Sequence, residues 1–592
     1  MRISRVRIEN FRTFKALEFR GGDSVVVVGE NKVGKSNLLH ALRLVLDPSL
    51  PDTARQLREE DFWDGLSRPL KKTDAVVVEV ELEGFEKSEP KLALLAEHLI
   101  KPNPMVARLT YKYRAKGSAP DEPVVPTDFE FVMFGGDREE NYLNFEVRRS
   151  LPLIFFHALR DAESDLENWR RSPLRPLLDD VAKKVDGAKL KSIAKDVTKA
   201  SDAVAGLPEV DSLAKSIAER IQDMVGPVHA IDTTIQVGPT DPTRLLRNLR
   251  LYFDHGRRTV SEASLGSANV LYLALTLLEF QRLVGAGDLF HTFLAVEEPE
   301  AHLHPHVQRL VYRDALRTSS GKPSADRTVI LTTHSPHIAS VTPLRSLVLL
   351  SRKNSAGTSA TSVAGLDLEA DVVADIERYI DVTRGEILFS RSVLFVEGEA
   401  ERYLLPAISR LMKNGQDLDS HGVSICSVSG THFSSYVKVF GHGFKLPFAV
   451  ITDGDPDDQG MRVGLKRAVR LAKILDEESL DDLDDTEKTK RLNGLGLFVG
   501  EETLEWDLFN AGHQDELLQS LIDLAGGKTA LKRAETWLAN PPSVTKDKLL
   551  ADVESIGKGR FAQHLSTKLK GNFFPAYITK AIRHAIKSAS AE

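Results

Sequence analysis

Glu397 and Glu401 stand four apart in the stretch Arg391-Ser-Val-Leu-Phe-Val-Glu-Gly-Glu-Ala-Glu401, and Asp453-Gly-Asp455 stand two apart further on. The first spacing puts both carboxylates on one side of a starting helix; the second points both the same way in extended chain. Glu502 and Glu505 follow in a third cluster. Carboxylates gathered like this repel one another unless cations share them, and such hard oxygen ligands suit Mg2+ or Mn2+. The competing reading, a solvated acidic rim, is disfavoured because the acids follow three of the four strand-like runs in this half of the chain.

A second set of polar residues lies in the first half. Gly29-x-x-x-x-Gly34-Lys35-Ser36 has the spacing of a phosphate-cradling loop. Its backbone N–H groups and the following helix start face phosphates, Lys35 reaches the β/γ oxygens, and the Ser36 hydroxyl ligates Mg2+. Asn31, Gly34 and Asn37 complete the expected ATP contacts. Glu297 and Glu298 close the apolar run Phe293-Leu-Ala-Val. Glu297 is placed to hold the Mg2+ shell, and Glu298 to polarise the attacking water. His334 ends Arg327-Thr-Val-Ile-Leu-Thr-Thr-His and is placed to sense a γ-phosphate; alone it would read as structural. Ser264-Leu-Gly266-Ser267 opens a long apolar helix whose N-terminus can take a phosphate in trans from a second protomer, with a plain helix cap as the alternative.

These residues need rigid elements behind them. Ile3 to Phe19 alternates like a β-hairpin. The Val25–Val28 run reads as a buried strand, and Leu38, Leu39, Leu42 and Leu46 form one helix face. From Ser392 on, a βαβαβαβ pattern predicts strands Val393–Val396, Val423–Val428, Phe448–Thr452 and Gly496–Val499. Helices are expected to begin near Glu399, Thr431, Met461 and Glu501. Such alternation predicts a parallel sheet with ligands at its C-terminal edge. Between Asp165 and Val237 the pattern is helical, with Leu213, Ile217, Ile221 and Val225 on one face. This insertion reads equally as a dimerisation element and as a self-contained hairpin.

The 592 residues allow several domains with large cores. The single cysteine, Cys426, excludes an intrachain disulfide framework, reads as a small core residue, and favours a reducing, cytoplasmic setting. No apolar run approaches the roughly 20 residues of a membrane helix, so no membrane partner is expected. The net charge of −7 does not advertise nucleic acid, but part of it is the local acidic run Asp476 to Glu487. Arg244 to Arg258 and the tail (Lys568, Lys570, Lys580, Arg583 and Lys587) are basic enough to meet phosphates.

Ile8-Glu-Asn-Phe-Arg12-x-Phe14, the phosphate loop, Ser264-Leu-Gly-Ser, Glu297-Glu298-Pro and His334 together resemble the ABC-type ATPases of the SMC and RecF class. That resemblance implies two composite ATP sites in a head-to-head dimer. The signature departs from the usual Ser-Gly-Gly, and His157-Ala-Leu-Arg160-Asp161 stands where a glutamine switch loop is expected. Glu397-Gly-x-x-Glu401 with Asp453-x-Asp455 resembles a Toprim domain. A phosphate-loop ATPase followed directly by Toprim resembles the OLD (overcoming lysogenization defect) family over essentially the whole chain. Its class 2 branch, usually found beside a helicase gene, is the nearer match on Leu159-Arg-Asp-Ala-Glu-Ser and Ile556-Gly-Lys558-Gly-Arg-Phe-Ala.

The resemblance implies an α/β chain: an ABC-type P-loop ATPase with a helical insertion, then a Toprim domain and helical C-terminal elements. The expected division is ATPase 1–164 and 238–390, insertion 165–237, Toprim 391–510, and helical elements 511–592 completing the nuclease region. The implied activity is an ATP-hydrolysing, metal-dependent DNA endonuclease with a two-metal mechanism, serving phage defence or DNA repair. Glu397, Glu401 and Asp453 would hold one metal, and Asp455 and Glu505 help hold the other. Mg2+ is the expected ion, with Mn2+ or Ca2+ able to occupy the Toprim site. Lys558 matches the family's catalytic lysine and joins Glu401 in the catalytic set; by itself, in a Gly-flanked loop, it reads only as a phosphate contact. DNA, a second copy (through the insertion and the ATPase heads) and a helicase protein are the implied partners. The alternative is an SMC/RecF-like repair ATPase with a regulatory or inactive Toprim. A topoisomerase would need a nucleophilic tyrosine, and neither Tyr403 nor Tyr577 lies in a recognisable nucleophile domain.

Overall fold

Apolar β-branched runs and amphipathic helices build three layered sheets in a computed structural model of the chain. It describes every residue except 124, 158–161, 228–230, 232, 237–244, 246–248, 302, 317–325, 354–356, 457–461, 477–479, 481–482 and 591–592. Arg160 and Asp161, the expected stand-ins for a glutamine switch, therefore lie outside the described residues. The chain divides into two compact units: Met1–Ala158 with Phe290–Glu300 and Pro305–Glu592, and Leu159–Leu289 with Ala301–His304.

The larger unit opens with an antiparallel sheet. β1 (Arg2–Phe11) turns through Arg12 and Thr13 into β2 (Phe14–Arg20), as the alternation predicts. β4 (Ala75–Glu83), β5 (Leu99–Pro102), β6 (Met105–Ala115) and β7 (Phe129–Gly135) extend it in the order β2-β1-β4-β6-β5, with β7 also on β6. The second sheet runs β14-β13-β3-β12-β11-β8, from β3 (Val25–Gly29), β8 (Leu153–Phe156), β11 (Thr292–Glu297), β12 (Arg327–Thr332), β13 (Leu347–Lys353) and β14 (Gly357–Ser362). All its pairings are parallel except β13 with β14. Val25–Val28 are buried on both sides, as a central parallel strand requires. Leu38, Leu39 and Leu42 of helix Lys35–Leu46 pack into the same core.

The third sheet is four-stranded and parallel: β15 (Ser392–Val396), β16 (Val423–Ser427), β17 (Phe448–Thr452) and β18 (Leu497–Val499), in the order β16-β15-β17-β18. On one face Leu394, Val396, Ala449, Ile451 and Phe498 share a core with helices Glu399–Leu411, Lys558–Lys568 and Ala576–Ser590. On the other, Phe395 packs against Tyr436, Phe440 and Phe448. The C-terminal helices are thus part of this sheet's core. Cys426 is buried on β16 and its thiol is pushed up to about 12 by burial, as suits an inert core residue.

The smaller unit is helical, with Leu174–Lys184, Gly187–Ala205, Pro208–Val225 and Leu265–Gly285, plus the short pair β9 (Tyr252–Phe253) and β10 (Arg258–Thr259). Ile193, Leu213 and Ile217 are exposed on its helices.

Candidate active site

The strand order of the third sheet switches at β15. The chain leaves β15 for β16 on one side and returns to β17 on the other, the arrangement that opens a ligand crevice at the carboxyl ends of parallel strands. Glu397 follows β15 and Asp453 follows β17, so both acids stand at that crevice.

Glu397 Oε1 is heavily engaged. It accepts the Asp453 N–H at 3.0 Å and Arg467 Nη1 at 2.7 Å, and the Thr452 hydroxyl as well. Arg467 Nη1 also reaches Thr452 Oγ1, and its Nη2 lies 3.4 Å from Asp455 Oδ2. Arg467 comes from helix Val463–Leu475, which docks on the end of β17 through Gly464: its N–H donates to the Gly454 carbonyl at 2.9 Å. Asp455 sits at φ 43°, a left-handed backbone that a non-glycine residue adopts only under tertiary constraint.

Glu401 lies in the first turn of its helix and caps it, Oε2 accepting the Gly398 N–H at 3.2 Å. It is buried, and its carboxyl is pushed up to about 7, chiefly by burial and then by the charges of Glu397 and Glu505. Asp453 is raised well above the ordinary carboxylate range, again by burial first, then by Glu397, Glu401, Glu505 and Asp455. Glu505, in the first turn of helix Leu504–Asn510, is only 3% exposed. Glu397 and Glu505 thus lie within electrostatic reach of Glu401, and Glu397, Glu401, Glu505 and Asp455 within reach of Asp453.

Hard oxygens held together at such cost fit a divalent cation. Among the described residues, no three acidic, histidine or cysteine side chains already close on one point. Arg467 pairs with both Glu397 and Asp455 at this site.

Other expectations need adjusting. The helix after β18 begins at Leu504 rather than Glu501, because Asp507 takes the Glu501 and Glu502 N–H groups at 3.2 and 3.1 Å. Glu502 forms an ion pair with Lys546 and so leaves the open acid set. Lys558 is not in a loop; it is the first residue of helix Lys558–Lys568. That helix lies close to helix Glu399–Leu411, where a Cβ on Gly559 would sit 3.4 Å from Glu399 Cβ. Lys558 thus starts its helix beside the turn that carries Glu401. Tyr577 is buried against Gly500 and Asp507, and burial with the surrounding acids pushes its hydroxyl far up. It offers no accessible nucleophile. In the basic tail, Lys568 pairs with Asp523 at 3.0 Å.

At the phosphate loop, Gly34 caps helix Lys35–Leu46 with φ 102°, where a side chain would also strike Thr13 Oγ1. Lys35 Nζ donates to the Gly29 and Glu30 carbonyls at 3.0 and 2.8 Å. Burial lowers its ammonium to about 8 against the pull of Glu298, Glu300 and Glu30. Ser36 is exposed at the loop mouth. The Asn37 side chain is held between Arg12 and Thr13, both at 3.2 Å, which ties the β1–β2 turn to the loop. Asn31 lies on the outer side, lining a cavity of about 350 Å3 that reaches Arg391 and Lys445.

Strand order brings β12 between β3 and β11, so His334 stands between the loop lysine and the acidic pair. His334 Nδ1 is 3.5 Å from Lys35 Nζ, and Nε2 is 3.3 Å from Glu298 Oε1. Burial and then the Lys35 charge push the imidazole below its ordinary range. Glu298 adopts φ 41°. Glu297 Oε2 lies 3.9 Å from His157 Nδ1. Glu300, which sequence reasoning passed over, accepts the His334 N–H at 2.6 Å and the Thr333 hydroxyl at 2.9 Å. In the smaller unit, Ser264 caps helix Leu265–Gly285 by accepting the Ser267 N–H at 3.2 Å, and Gly266 is buried in its first turn.

Arg467 and Thr452 were also missed. Thr452, a polar residue ending an apolar strand directly before Asp453, carried a usable signal. Arg467 is one of several basic residues on its helix, and only tertiary packing singles it out.

Comparison with known proteins agrees with this layout. Residues 24–340 match the AAA domain family whose description names the AbiEii toxin of a type IV TA system. Residues 388–455 match the TOPRIM domain of overcoming lysogenization defect-like proteins. The OLD nuclease of Thermus scotoductus is 25% identical over 468 residues, 76% of this chain and 82% of the relative. Endonuclease GajA of Bacillus cereus is 20% identical over 549 residues, 86% of this chain and 90% of the relative. The solved C-terminal region of the Burkholderia pseudomallei OLD protein is 33% identical and corresponds to 34% of this chain and 99% of that one, with a TM-score of 0.31.

Proposed function

Because the chain belongs to the OLD (overcoming lysogenization defect) family, with an AAA-type ATPase domain followed by an OLD-like Toprim domain, we propose that it is an ATP-hydrolysing, metal-dependent DNA endonuclease. The observation that carries the reading is the buried acid set at the β15–β17 crevice, where burial and neighbouring carboxylates hold Glu401 and Asp453 above the ordinary carboxylate range. Curated relatives named as nucleases support it.

Divalent cations bound by these acids, Mg2+ or Mn2+ by their hardness, would supply an activated nucleophile and stabilise the attacking and leaving oxygens at phosphorus. Glu397, Glu401 and Asp453 hold the first position, and Asp455 and Glu505 contribute to the second. Glu397 presents Oε2, since Oε1 is taken. Lys558, starting its helix beside Glu401, brings a positive charge toward the scissile phosphate and offsets the negative charge that grows there.

At the other site Lys35 exchanges its bonds to the Gly29 and Glu30 carbonyls for phosphate oxygens. Ser36 and Glu297 hold the Mg2+ shell. Glu298 accepts a proton from the attacking water and His334 orients it, one nitrogen toward Glu298 and the other toward Lys35. Ser264 and Gly266 face the nucleotide of a second copy, and the exposed Ile193, Leu213 and Ile217 support pairing through the helical insertion. Phage defence or DNA repair is the role that fits such a nuclease.

Plasmid cleavage by wild type, Glu401→Ala and Lys35→Ala, with and without ATP in Mg2+ or Mn2+, tests the reading. Glu401→Ala is expected to lose cleavage and keep ATP turnover, and Lys35→Ala to lose turnover. Undiminished cleavage by Glu401→Ala would remove the Toprim acids from the chemistry.

A further inference from the structure

The geometry points to Arg467 as a positioning residue of the carboxylate site, one that decides which oxygen of Glu397 meets a cation and keeps the acids together without one. This rests on the reading of the acids as a divalent-cation site.

Glu397 Oε1 receives the Asp453 N–H at 3.0 Å, Arg467 Nη1 at 2.7 Å and the Thr452 hydroxyl. Donors crowd that oxygen, so Oε2 is the one left to bind a metal, and Glu397 binds through one oxygen. Arg467 also bonds Thr452 Oγ1, so strand end, carboxylate and guanidinium close into one hydrogen-bonded ring. Its second nitrogen reaches Asp455 at a looser 3.4 Å. Arg467 is largely buried, with a side chain 17% exposed, and it pairs with two acids of this site. A buried carboxylate cluster needs such a counter-charge: removing one partner of a buried pair leaves the other charge uncompensated. Arginine suits the task because its planar fork donates in two fixed directions, which a lysine ammonium cannot reproduce. Arg467 touches no reacting atom; it acts through Glu397 and Asp455.

The test uses the full-length chain freed of metal with EDTA, as wild type, Arg467→Gln and Arg467→Lys. Mn2+ binding is measured by titration calorimetry, and the metal-free melting midpoint by circular dichroism. Partners that orient metal ligands are worth 10–100-fold in affinity, so about a tenfold weaker Mn2+ Kd is expected for both variants. The metal-free midpoint is expected to fall in Arg467→Gln and to recover partly in Arg467→Lys, which keeps the charge but not the fork. Unchanged or tighter Mn2+ binding in both variants overturns the inference. A lowered midpoint with unchanged binding does so too, since it leaves Arg467 a structural ion pair only. Absence of Mn2+ binding by the wild type strikes the cation-site reading itself and is thereby distinguished from failure of the role of Arg467.

Discussion

Arg391 and Glu30 form a two-bond ion pair, Nε to Oε1 at 2.8 Å and Nη2 to Oε2 at 3.2 Å. Glu30 belongs to the phosphate loop, and its carbonyl is one of the two that hold Lys35. Arg391 immediately precedes β15, the strand that ends at Glu397. One side-chain pair thus joins the Gly29–Ser36 loop to the strand that ends at Glu397.

Both side chains are about half exposed, so the pair itself contributes little stability, about 0–1 kcal/mol. Its predicted effect is on coupling. Glu30→Gln and Arg391→Gln are each expected to leave the melting midpoint nearly unchanged. Each should also bring the ratio of DNA cleavage with and without ATP toward one. The exchanged pair, Glu30→Arg with Arg391→Glu, is expected to recover part of the wild-type ratio. Single variants that retain the full ATP effect would show that the signal travels elsewhere.

Glu298→Gln is expected to slow ATP turnover by about 10²–10⁴-fold, the usual contribution of a positioned general base. Nucleotide binding, followed with a fluorescent ATP analogue, should change little, because Lys35 and the loop N–H groups are untouched. A turnover loss below tenfold would assign the water-activating role to another group.

The Glu401 carboxyl is raised from 4.5 to about 7, mainly by burial and then by Glu397 and Glu505. Between those pH values the folded chain keeps a proton that the unfolded chain has released. Stability therefore falls as pH rises through that window, by about 3 kcal/mol in all. In EDTA the melting midpoint should drop between pH 5 and pH 8, and Mn2+ should oppose the drop because it binds the ionised acids. Glu401→Gln should flatten the metal-free profile; an equally steep profile in that variant would move the proton to a neighbour such as Asp453.

Gly464 is fixed by close approach: a Cβ there would meet the Asp453 carbonyl oxygen at 1.9 Å. Gly464→Ala must push helix Val463–Leu475 off the end of β17, taking Arg467 with it. A loss of about 1–3 kcal/mol, typical of overpacking, is expected, together with weakened Mn2+ binding. Gly494→Ala, where a Cβ meets nothing within 4 Å, should change both by little and serves as the control.

Much of this protein is written locally. The phosphate loop, the valine run before it, the Glu297-Glu298 pair and the three strand–acid junctions after β15, β17 and β18 are each specified by a short stretch. Hydrophobic period and turn chemistry act over a few residues, so they can be read one after another along the chain. The spacing of Glu397, Glu401, Asp453 and Asp455 was sufficient to propose a metal site. The family resemblance carried Lys558, which no local pattern would have singled out.

Tertiary structure alone decided which side chains meet. The order β16-β15-β17-β18 makes Glu397 and Asp453 neighbours, although the chain between them includes β16 and its connections. Helical phase and the docking of Gly464 select Arg467 from the basic residues around it. Glu502 and Glu505 stand three residues apart in sequence, yet Lys546 pairs with Glu502 while Glu505 is buried. Sequence determines which residues can do chemistry, because chemistry resides in residue types and short spacings. Packing determines which of them act together, because contact distance and desolvation depend on elements far apart in the chain.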